Sequence, residues 1–195
     1  KGAKCRYGIL KVASWLDRLG YDRVVITTDN ESSVKTFARK VKDKSSTSCV
    51  LRTRPKESSA SLASGETAVG IIAAGVRTLV AEVEDRIEQA FPLSNNIVAW
   101  AVHHAAWTHS RFKVSSDNTT AYYRVNGNHY HGLVLPFASP CMIKTQQHGQ
   151  WKPVWQKGIF CGKSELNDVA YVSTEHGIVS GRCIREIAAS EHSKK

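Results

Sequence analysis

Apolar residues recur at helical spacing over residues 8–19, where Ile9, Leu10, Val12, Ala13, Leu16 and Leu19 alternate with polar positions and Gly20 follows as a stop. The next run, Arg23-Val24-Val25-Ile26-Thr27-Thr28, is β-branched and continuous, which predicts a buried strand ending at Asp29-Asn30. Ser32-Ser33 offer an N-cap to a helix over 34–43, with Val34, Phe37, Ala38 and Val41 on one face. Ser45 to Ser48 read as a polar turn and Cys49 to Arg52 as a short strand. Residues 53–65, rich in Ser, Pro and Gly, are expected to form a mobile loop. A long helix is predicted over 66–90, with Val69, Ile72, Val76, Leu79, Val80, Val83 and Ile87 on one stripe and Phe91-Pro92 ending it. A further helix over 95–109 is apolar nearly all round (Ile97, Val98, Trp100, Val102, Ala105, Ala106), so it is expected to be buried.

After residue 112 short runs alternate with turns, and strands are expected over 151–161, 168–174 and 178–184. The pattern predicts an α/β core over 1–112, a connection over 113–150 and a small β-rich unit over 151–188. With 195 residues of which 42% are hydrophobic, the chain can bury a core. No apolar run approaches the roughly 18 residues of a membrane span, and the first residues lack a signal-peptide layout, so no membrane partner is expected. The five cysteines are scattered and odd in number, which fits reduced thiols. The chain begins with Lys1 and is expected to be a piece of something longer.

The net charge of +10 is unevenly placed: residues 1–56 hold fourteen Lys or Arg against five Asp or Glu. A polyanion such as nucleic acid is one partner this suits; an ordinary solvated basic surface is the other reading. Two acids change the picture. Asp29 stands at the end of a predicted buried strand, where α/β sheets place functional groups. Glu66 opens the long helix, where the dipole favours a carboxylate. Thirty-six residues separate them, room for a helix, a strand and a loop that would return both to one sheet edge. Carboxylates so placed are the ligands that Mg²⁺ or Mn²⁺ takes. Taken singly, Asp29 also reads as the start of a turn and Glu66 as a common first-turn acid.

These residues resemble a family. The run VVITTDNESSVKTF resembles the strand and turn that carry the second catalytic Asp of retroviral and copia-like retrotransposon integrases. Pro55, Ser59, Ser61, Glu66 and Val76-Arg77-Thr78-Leu79 resemble the loop and helix that bear their catalytic Glu, at a matching interval. Thr120-Ala121-Tyr122 with Gly127 and Tyr130, then Phe137-Ala138-Ser139-Pro140-Cys141 and Gly158-Ile159-Phe160-Cys161-Gly162, resemble the segments downstream of the core in copia-like elements. The sequence departs from the pattern at Leu62-Ala63, where the family often has Asn-Gly, and at Thr67, where an Arg is common. A frame centred on Gly65 would put Ala68 at the catalytic place. The frame with Glu66 keeps the later run in step without a gap, and the departures suggest a decayed or atypical copy.

The resemblance implies an RNase H-like α/β core lacking its first strands, followed by a small β-rich tail. It implies DNA integration by metal-dependent phosphoryl transfer, with Asp29 and Glu66 as catalytic and metal-binding residues. Lys35, Arg39, Arg52, Arg54 and Lys56 would hold DNA phosphates. The family's first Asp would lie before residue 1; Asp17 and Asp22 fall in a predicted helix and a loop. The chain alone is therefore expected to be inactive or nearly so. DNA, the neighbouring parts of a retrotransposon polyprotein and further copies of the chain are the expected partners, and the nucleus, after the cytoplasm, the expected compartment. The rival readings are a non-catalytic nucleic-acid-binding remnant and a structural α/β domain with an unrelated partner. A zinc site among His103, His104, His109, His129 and His131 is disfavoured, because no Cys-x₂-Cys pair accompanies them. His103 and His104 are expected to be hydrogen-bonded core or interface residues, Trp100 and Trp107 core residues, and Trp151 and Trp155 candidates for contact with nucleic acid.

Overall fold

The computed structural model describes residues 5–53, 63–92, 94–145 and 154–187. Helix and strand are mixed, and the chain divides into two compact units, Lys1–Val69 and Gly70–Lys195.

The first unit contains α1 (Arg6–Arg18), β1 (Arg23–Thr28), α2 (Ser32–Lys42) and β2 (Ser48–Thr53). β1 and β2 pair in parallel, from Arg23 opposite Ser48 to Thr28 opposite Thr53, so α2 is the crossover that such a pair requires. Ile9, Ala13 and Leu16 of α1, Val41 of α2 and Cys49 of β2 form the buried core, with Val24, Ile26 and Phe37 packed against it. β1 differs from the continuous buried strand expected of it. Only alternate residues are covered, and Val25 on the other side is 48% exposed. The helices cover one face, and successive strand side chains point to opposite faces. The N-cap of α2 is Glu31 rather than Ser32 or Ser33, and its side chain makes no capping bond.

Asp17 ties the end of α1 to the turn before β2. Its Oδ1 accepts from the Ser45 hydroxyl, from the amides of Ser46 and Thr47 at 2.9 and 3.1 Å, and from the Thr47 hydroxyl at 3.1 Å. The hydrogen bond from Ser45 leads in lowering its pKa to about 2. A smaller burial effect opposes it, and Ser46 and Thr47 reinforce it.

α3 (Ala63–Ile87) runs from the first unit into the second, which also holds α4 (Asn96–Phe112), the short α5 (Ala121–Asn126), and strands β3 (Pro140–Lys144), β4 (Trp155–Lys163), β5 (Ala170–Thr174), β6 (Gly177–Gly181) and β7 (Ile184–Glu186). The strands form one antiparallel sheet in the order β6-β5-β4-β3-β7. It therefore draws β3 from within the stretch expected as a connection. Leu135, Cys141, Ile143, Phe160, Ala170 and Val172 make its core. A second cluster gathers Val83 of α3, Ala101 of α4 and Phe137. The expected stripe of α3 is covered only in its middle, since Val69 and Ile87 are exposed. α4 is likewise buried on one side only, with Val102 and Phe112 exposed on the other.

Trp107 is buried as expected and donates from Nε1 to the Ser164 carbonyl at 3.1 Å, while Trp100 is half-buried against Tyr171. His104 is 4% exposed and packs against Trp107, Phe137 and Phe160. Its Nδ1 has no hydrogen-bond partner among the described residues, contrary to expectation. Burial first, and then the neighbouring His103, lower its pKa to about 4, so it packs as a neutral ring. A bulge lies between Phe160 and Gly162 in β4, the strand against which α4 packs. Gly162 has φ +121°, and a Cβ there would stand 3.3 Å from His104 Nδ1, so two constraints favour glycine.

The depressed pKa of Asp17 predicts an acid-sensitive first unit. Its contribution to stability is fully present above the ordinary value of 3.8 and is lost as pH falls through about 2. Urea midpoints of the wild-type chain should fall over that window, and Asp17→Asn should flatten the fall. An unchanged slope in the variant would remove Asp17 from this role.

Candidate functional site

The parallel pair brings the carboxyl ends of β1 and β2 side by side, with Thr28 opposite Thr53. Asp29 follows β1 directly, at the sheet edge expected for it, and is half-buried. Its Oδ1 accepts the backbone N–H of Glu31 at 3.1 Å, a local turn that leads the chain into α2. The turn reading of Asp29 is therefore realised, and a carboxylate retains further acceptor positions beyond this bond. Glu66 lies in the first turn of α3 and is exposed. The chain leaves β2 at the edge where Asp29 stands and re-enters the described structure at Ala63, close in sequence to Glu66.

The basic candidates divide. Lys35 and Arg39 are one helical turn apart on α2, Lys35 half-buried and Arg39 exposed. Arg52 is exposed and pairs in register with Thr27, on the sheet face that the helices leave open. Arg54 and Lys56 lie outside the described residues, as do residues 54–62 of the expected loop and Trp151.

Aspartate and glutamate oxygens suit Mg²⁺ or Mn²⁺ by donor chemistry. Among the described residues no three His, Cys, Asp or Glu side chains gather closely enough to hold a metal ion. Asp29 and Glu66 are two carboxylates and fall short of such a group by themselves.

The chain matches no protein-family model and no curated protein.

The second unit holds a polar cluster that hydrophobic patterning does not single out. Lys163, with a side chain only 5% exposed, donates to Tyr130 Oη and to the Leu133 carbonyl, each at 2.9 Å, and pairs with Asp168 at 2.7 Å. Tyr130 also donates to Asp168. Burial raises the Asp168 pKa, but the bonds from Lys163 and Tyr130 outweigh it and hold the group below its usual range. The Tyr130 hydroxyl is pushed up, by burial and then by the Asp168 carboxylate. Arg111 stacks over Trp107 at 4.2 Å and donates to the Glu165 carbonyl at 3.3 Å. Lys163 and Tyr130 donate to acceptors within the protein, while the Nε of Arg111 has no partner among the described residues, and the cluster reads as a structural clamp between α4 and the β4–β5 turn. The one signal in the sequence is a lysine that closes the run Ile159-Phe160-Cys161-Gly162 of β4.

If Asp29 serves the fold only through its turn, Asp29→Asn should leave stability unchanged, because the amide oxygen still accepts from Glu31. Asp29→Ala should cost about 1 kcal/mol, the net worth of one such bond. Chemical denaturation of both variants checks this, and an equal loss in both would show that the negative charge itself is needed for folding.

Proposed function

We propose that this chain is part of an integrase-type DNA strand transferase with an RNase H-like core, in which Asp29 and Glu66 are two of three carboxylate ligands for Mg²⁺ or Mn²⁺. The observation that carries the reading is the position of Asp29, immediately beyond the carboxyl end of a parallel strand, at the edge from which the chain departs towards Glu66. Bound divalent ions in such a site polarise the scissile phosphate and stabilise the leaving oxygen. The role assigned to Asp29 and Glu66 is to hold that charge in place. Asp29 acts from a turn already fixed by Glu31, and Glu66 from the start of a helix that aims it. Lys35, Arg39 and Arg52 supply contacts to the phosphate backbone with little sequence preference. The third acid would come from an earlier part of the parent protein, and the reaction would take place on DNA in the nucleus.

One observation favours the rival, a remnant that binds nucleic acid without chemistry. The carboxylate of Asp29 already has a structural task that needs no metal. Substitution in the full-length parent separates the two. Asp29→Asn and Glu66→Gln should each lower strand transfer by more than about 100-fold, the upper end of what loss of a supporting partner around a metal costs. DNA binding in the presence of EDTA should change little. Residues 1–195 alone should be inactive or nearly so with either ion. Unchanged activity in both variants of the parent, or robust strand transfer by this chain alone, would defeat the enzyme reading.

A further inference from the structure

The antiparallel sheet carries a second charged surface, with no part in the reading above. Cross-strand register places Lys144 beside Trp155, and Met142 beside both Lys157 and Arg185, so these side chains share one face of β7, β3 and β4. At the edge of this face lies a cavity of about 410 Å³ lined in part by Lys144, Lys163, Arg182, Arg185, Trp155 and Asp168. Four cations thus meet one carboxylate. Asp168 is spent on Lys163 at 2.7 Å, and no ion pair to Lys144, Arg182 or Arg185 occurs among the described residues. The Arg185 guanidinium carbon lies 4.5 Å from the centroid of the Trp155 ring, which makes a planar, cationic stack beside the cavity.

We propose that this cavity binds single-stranded nucleic acid one nucleotide deep, with phosphate against Lys144 and Arg182 and an unpaired base stacked on the Arg185–Trp155 pair. Two features select this ligand. Unneutralised cations call for an anion, and the aromatic–guanidinium stack calls for a flat π surface, which an acidic peptide need not offer. Paired bases in a duplex are already stacked and cannot enter a cavity of this size singly, whereas an unpaired base can.

The test uses the whole chain in EDTA, with a labelled oligothymidylate followed by fluorescence anisotropy against a duplex of equal length and against polyglutamate. Single strand should bind most tightly. Lys144→Ala and Arg182→Ala should each reduce the salt dependence by about one unit of slope. Trp155→Ala should weaken binding by roughly tenfold. Arg185→Lys retains the charge but loses the plane, so it should weaken oligothymidylate while leaving polyglutamate unaffected, and it guards against misfolding of the tryptophan variant. Salt slopes unchanged by both alanine variants, or an affinity for oligothymidylate that Trp155→Ala and Arg185→Lys leave unaltered, would overturn the proposal. This binding is read in EDTA through variants of the second unit, and the metal reading through strand transfer by variants of the first, so the failure of one is told apart from the failure of the other.

Discussion

The first unit depends on the parallel pairing of β1 with β2. Parallel strands cannot be joined by a tight turn, so the chain must cross over between them, and α2 is that crossover. The pairing fixes direction as well as contact. It sets both carboxyl ends on one edge, and with them Asp29 and the departure of the chain towards α3. Ile9, Ala13, Leu16 and Val41 hold the arrangement by covering one face. The other face, with Val25 half exposed, lacks the cover that parallel sheets commonly have on both sides. A sheet of two strands also has unpaired edges among the described residues, which leaves it open to association.

The second unit is held by a different balance. Its sheet has an apolar core, but α4 meets that sheet through polar side chains as well as aromatic ones. Lys163 and Arg111 are buried charges, and burying a charge costs less the more of its donors are met. Tyr130, Asp168 and the Leu133 carbonyl meet those of Lys163, whereas Arg111 is met in part, by the Glu165 carbonyl and the Trp107 ring, with Nε unpartnered among the described residues. His104 is handled in the opposite way, since a ring kept neutral by burial can pack between aromatics with Nδ1 unbonded. Gly162 lets the strand come close enough for that packing.

Much of the helical and strand order was legible because it rests on local periodicity. The faces of α1 and α2 were readable from Ile9, Ala13 and Leu16, and from Ala38 and Val41. What failed was extent of cover. β1 is β-branched throughout, and its composition cannot reveal that only one face meets a helix. The same holds for α4, whose apolar circumference includes the exposed Val102 and Phe112. The cap of α2 lies at Glu31, because Asp29 secures the turn from two residues before it and leaves Ser32 and Ser33 inside the helix. The position of Asp29 was legible as the end of a strand, whereas its partnership with a second acid is a matter of tertiary geometry. The cations at Lys144, Arg182 and Arg185 come together only through sheet register, which no window of sequence contains.

On the proposed reading the two surfaces face opposite electrostatic problems. Asp29 and Glu66 would repel a phosphate backbone until a divalent cation reverses the sign, whereas Lys35, Arg39 and Arg52 attract it at long range. Nucleic-acid binding by the first unit should therefore persist without metal while its chemistry does not, because attraction and catalysis rest on different side chains. The cavity beside Trp155 has no such dependence. Its one carboxylate is already paired with Lys163, so its attraction for anions needs no ion to unmask it. Affinity without metal then bears on the cations of either unit, and only a metal-dependent signal bears on the acids.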